Sequence, residues 1–83
     1  MAKMLITQEQ YRKLSPMGKE LHDYWMNHKS KMYKELHQDG ALWDLLYRKS
    51  QDLDEIVLEN IQALGIAGAK ELARSEIYDE MMD

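Results

Sequence analysis

Three histidines, His22, His28 and His37, are the residues whose chemistry first needs weighing, because imidazole ligates metals and exchanges protons near neutral pH. A metal site carried on a helix sets ligands three or four residues apart, as in a Glu-x-x-His pair. Here no histidine stands four residues from another, and no Glu-x-x-His occurs. Structural roles are favoured: His28, between Trp25 and Met32, reads as a core or hairpin histidine with a satisfied ring nitrogen, with a ligand or general base as its alternative. His37 reads as a last-turn residue that meets the negative end of a helix. Asp52, Asp54, Glu55 and Glu59 offer paired carboxylates, but a solvated face and a helix cap place them just as well. Glycosidase or metal-hydrolase chemistry also needs a pocket, which a small helical domain seldom has. The expectation is a protein that is not an enzyme, with no catalytic residues, metal, cofactor or small-molecule substrate.

Two further patterns bear on nucleic acid. Leu64-Gly65-Ile66-Ala67-Gly68 is near the Gly-hydrophobic-Gly turn of helix-hairpin-helix modules but carries one residue too many. It satisfies the Gly-x-x-Gly clamp of KH domains, yet that fold needs strands. An inter-helix turn, with Gly65 ending a helix and Ile66 packing back, accounts for it. Aromatic and basic side chains also interleave along Tyr11-Arg12-Lys13 and from Tyr24 to Lys34, the usual ingredients of a nucleic-acid surface. Arg12, Lys13, Lys19, Lys29, Lys31 and Lys34 are the candidates for such contact, although Tyr24 and Trp25 fall on a stripe expected to be buried.

The elements that must position these groups are helices. Thr7 and Gln10 have the spacing of a capping box, with Ile6 and Tyr11 placed as its hydrophobic staple, opening a short helix from Gln8 to Leu14. Ser15 and Pro16 then form a second start, since proline at the first helical position loses no needed N–H. Met17, Leu21, Trp25, Met32 and Leu36, with Tyr24 beside them and His28 inside the stripe, recur at helical steps up to Asp39-Gly40. That predicts one continuous second helix ended by glycine. Leu42, Leu45, Leu46, Leu53, Ile56, Val57, Ile61 and Leu64 carry the period on to Gly65. Ser50-Gln51-Asp52 lacks apolar residues, so a bend or a fresh cap at Asp52 stands beside continuity. A closing helix from about Ala67 to Met82 buries Ala69, Leu72, Ala73, Ile77 and Met81. No stretch alternates at strand period. The expected fold is all-α: three to four helices in one domain over residues 1–83, a long antiparallel hairpin flanked by short N- and C-terminal helices.

With 83 residues the chain buries a limited share of its surface, which keeps self-association open. It has no cysteine, no apolar run approaching the ~20 residues of a membrane span, and no secretory signal in MAKMLIT. A soluble cytoplasmic protein without membrane contact is expected. The net charge of -4 divides unevenly: seven basic against four acidic residues up to His37, four against eleven afterwards. A mildly basic front precedes an acidic back, a polarity that steers charged partners or draws two copies head to tail.

The run Gly18-Lys19, Tyr24, His28-Lys29, Met32-Tyr33, Leu36, Gly40-x-Leu42-Trp43 and Leu46 resembles the core of the TnpV-type proteins of transposons and other mobile elements. Ala69-Lys70-Glu71-Leu72 through Glu76-Ile77-Tyr78 is similar to that family's closing helix. The resemblance implies a small helical accessory protein of a mobile element and carries no catalytic residues. The surplus of Met and aromatic side chains suits a contact surface. The primary expectation is therefore a binding protein that docks on a protein partner or a second copy, with inhibition of host nucleic-acid machinery as a specialisation. Tyr47, Tyr78, Met81 and Met82 are its interface candidates, and direct DNA or RNA binding through the basic residues is the alternative.

Overall fold

In a computed structural model, residues 3–80 are described, and among them there are helices and no strands. Four helices follow one another: α1 (Gln8–Lys13), α2 (Pro16–His28), α3 (Ser30–Gln38) and α4 (Leu42–Glu80). The capping box opens α1: Thr7 Oγ1 accepts from the Gln10 amide and Gln10 Oε1 from the Thr7 amide, both at 3.0 Å. Ser15 Oγ accepts from the Gly18 amide at 3.2 Å, with Pro16 at the first turn of α2. Gly40, at φ +74°, ends α3 in a Schellman arrangement: Ala41 N–H donates to Leu36 C=O at 2.9 Å and Gly40 N–H to His37 C=O at 3.1 Å.

α4 is interrupted once. Gly65 has φ 73° and ψ 169°, values outside the helical region, so residues 42–64 and 66–80 form two rods joined at that glycine. The second rod folds back and runs beside α2 in the same direction. Arg74 meets Glu20 at 3.0 Å, and four residues on in each helix Tyr78 meets Tyr24, ring to ring at 5.0 Å. Leu21 of α2, Leu53 and Ile56 of the first rod and Ile77 of the second converge on one place, so the core is a three-rod bundle capped by α1 and α3.

One helix boundary differs from the sequence expectation. The second helix is not continuous: Lys29, at φ -129° and ψ 46°, separates α2 from α3. Consequently the stripe changes register. Tyr33, not Met32, is buried in the core, Met32 and Leu36 are half-buried, and His28 is exposed where a core position was expected. From Ser50 to Asp52, where the sequence leaves a bend and continuity both open, the helix is continuous. Ser50 is buried where α2 and α4 approach closely: a Cβ on Gly18 would lie 2.6 Å from Ser50 Cβ. A small residue is needed at that crossing, and Ser50 Oγ stays satisfied by donating to Tyr47 C=O at 2.8 Å.

Candidate functional site

The densest polar cluster is built on His22, which is fully buried. Its Nδ1 lies 3.0 Å from Asp23 Oδ1 and its Nε2 2.7 Å from Tyr33 Oη, while the Leu5 amide donates to Tyr33 Oη at 2.9 Å. One tautomer satisfies every member. Nδ1–H donates to the carboxylate, the phenol donates to Nε2, and the phenolic oxygen accepts from Leu5. Tyr11 Oη adds longer contacts to Asp23 at 3.3 and 3.4 Å, and its ring stands edge-on to His22 at 5.2 Å. Burial pushes the Tyr33 phenol above its ordinary value of 10.0, the Leu5 and Ile6 amides pull it back, and the Asp23 charge raises it. Burial and Asp23 likewise raise the Tyr11 phenol.

An acid, an imidazole and a hydroxyl in line are the components of a proton relay. A relay acts on a substrate through an exposed hydroxyl, however, and Tyr33 is 1% exposed with its oxygen already engaged by two partners. The cluster instead ties the segment before α1 to α2 and α3. Among the described residues no group of three or more His, Cys, Asp or Glu side chains is arranged to hold a metal ion. Trp25 Nε1 is buried without an acceptor among the described residues.

The basic candidates are spread over several elements. Arg12 and Lys13 are exposed at the end of α1, Lys31 and Lys34 are exposed on α3, and Lys29 is half-buried at the break. Lys19 is half-buried with its ammonium over the Tyr11 ring, 5.6 Å from the centroid, which ties it into the cluster region. Lys34 shares with Lys3, Asn27 and Ser30 a cleft of about 400 Å³ at the α2/α3 break.

Among the interface candidates, Tyr47 is exposed and tilted over Trp43 at 5.3 Å, and Tyr78 is exposed but spends one edge on Tyr24. Met81 and Met82 lie outside the described residues. The larger apolar exposure is elsewhere, around Gly65: Leu58 is 71% exposed, Ile66 58% and Leu64 51%. Ile66 therefore does not pack back as expected. Leu64 continues the core stripe of α4 but lies at the turn, where the bundle ends. Leu58 falls outside the clean stripe, which was the available signal for its exposure. Leu58 also walls a groove of about 340 Å³ with Val57, Asp54, Pro16, Met17 and Lys70. Ile61, half-buried and three residues from Leu58 and from Leu64, links those two along the helix surface, and Ile66 follows just past the break at Gly65.

No family model, curated protein or solved structure matches this chain. Among the described residues no helix is long and apolar enough to cross a membrane.

Proposed function

We propose that this chain is a non-catalytic helical binding module that docks on a protein through the apolar strip leading to Gly65. The observation that carries this reading is the exposure of Leu58 on the wall of an apolar groove, with Leu64 and Ile66 also exposed on either side of Gly65. Grouped large apolar side chains left in water favour association, whereas scattered ones need no explanation. The burial of His22 and Tyr33, whose facing polar atoms are spent on each other and on Leu5, supports the non-catalytic part. The TnpV-type resemblance supports a role as a small accessory protein of a mobile element, and the acidic second half, imitating phosphate charge, supports host nucleic-acid machinery as the kind of partner. The test is replacement of Leu58 and Ile66 together by serine, with pull-downs from the host and light scattering run side by side on the variant and the unchanged chain. Binding is lost while the circular-dichroism spectrum is kept; retained binding overturns the proposal.

Direct nucleic-acid contact is the second reading, supported by exposed Arg12, Lys13, Lys31 and Lys34. It requires a gel-shift that weakens steeply with salt and collapses when Lys31 and Lys34 become glutamate. Absence of a shift at low salt removes it.

A further inference from the structure

Between Ser50 and Ala69 the chain carries four carboxylates, Asp52, Asp54, Glu55 and Glu59, and neither lysine nor arginine. Asp54 and Glu55 precede Leu58 by four and three residues, which sets both beside it on the helix surface. Glu59 follows Glu55 by four and prolongs the same acidic edge. Glu55 and Glu59 are exposed, Asp54 is half-buried in the groove wall, and Lys70 stands on the opposite wall. The strip thus combines an apolar floor with a net negative border.

That combination discriminates among occupants. A second copy pairing strip to strip brings net negative charge onto net negative charge. A second copy offering its basic front instead makes a heterologous, head-to-tail contact, which leads to a ring or an open chain and not to a two-fold pair. Neither conflict arises with a foreign segment that is apolar on one face and cationic at its edges. Residues 54–64 span roughly 15 Å at about 1.5 Å per residue, enough for three turns of a docked helix. We infer that the strip receives a lysine- or arginine-edged amphipathic helix of a protein partner. This rests on the protein-docking reading above and adds the chemistry of the partner.

The probe is a labelled synthetic helix with leucine on one face and lysine on the other, set against its leucine/glutamine and leucine/glutamate counterparts. Each is titrated with the full chain, and the bound state is mapped by amide chemical shifts. The leucine/lysine helix binds one to one, tighter than either counterpart by about tenfold or more, the scale electrostatic complementarity supplies. Its affinity falls with salt, and the shifts centre on residues 54–66. The combined change Asp54→Asn, Glu55→Gln and Glu59→Gln removes most of the preference, and Leu58→Ser removes binding. Equal binding of all three peptides, lost in Leu58→Ser alone, overturns the basic partner while protein docking stands. Binding unaffected by Leu58→Ser and Ile66→Ser, or shifts centred elsewhere, overturns the strip as a docking surface. Dimerisation of the chain abolished by Leu58→Ser overturns the foreign partner in favour of a second copy.

Discussion

His22 Nε2 stands 2.7 Å from the phenolic oxygen of Tyr33, eleven residues further along the chain. In an unbroken helix eleven residues advance about 16 Å, so this contact exists only because the chain turns at Lys29. The turn brings α3 back against α2 and lets one phenol hold both an imidazole and the Leu5 amide. A buried polar group left without its partner is costly, which makes the contact a determinant of where α3 lies.

Tyr33→Phe keeps the ring and removes the oxygen, leaving His22 Nε2 and the Leu5 amide without their partner. The expected loss is about 1 to 3 kcal/mol of stability. Chemical denaturation measures it, and hydrogen exchange at Leu5 accelerates by more than exchange in α4. Unchanged protection at Leu5 contradicts the arrangement.

Alkaline pH destabilises the fold through the same phenol. Its value is raised in the folded state above the ordinary 10.0, so the native chain holds this proton more tightly than the unfolded chain. The stabilisation is complete below pH 10.0 and is lost as pH rises through the folded-state value. Tyr11 contributes in the same direction. Melting temperatures followed upward from neutral pH fall in this window, and Tyr33→Phe flattens the fall.

Gly18→Ala separates helix propensity from packing by sign. Propensity alone makes alanine more favourable than glycine by about 1 kcal/mol. The new Cβ lies 2.6 Å from Ser50 Cβ and 3.2 Å from Leu14 Cβ, so overpacking prevails and the variant loses about 1 to 3 kcal/mol. Ser50→Gly in the same chain restores part of that loss, and the double-mutant cycle shows a coupling energy. A stabilised Gly18→Ala refutes the close crossing.

Gly65→Ala acts on the backbone, since nothing lies within 4 Å of a Cβ built there but φ is +73°. An alanine held at φ 73° and ψ 169°, backbone that essentially only glycine adopts, costs roughly 1 to 3 kcal/mol, which favours straightening of α4. A straight α4 takes residues 66–80 off their own α2 and offers them to another chain, the geometry of domain swapping. Light scattering then reports a dimer fraction at unchanged helicity; a strictly monomeric variant of unaltered stability contradicts the role given to Gly65.

The amino-acid sequence by itself determined the all-α class, the start of α1 at Thr7, the start of α2 at Ser15-Pro16 and the stops at Gly40 and Gly65. Each of those depends on groups within about four residues of one another, where cap hydrogen bonds, proline's fixed φ and glycine's left-handed freedom act. Tertiary structure alone decided the break at Lys29, the exchange of Met32 for Tyr33 in the core, and the pairing of His22 with Tyr33. It also decided that Ser50 marks a close crossing and not a bend, and that Ile66 faces water. Periodicity states which side chains share a face of a rod. It carries no information about which rod arrives opposite, how near it comes, or where the bundle stops, because those depend on side chains distant in the chain competing for the same volume.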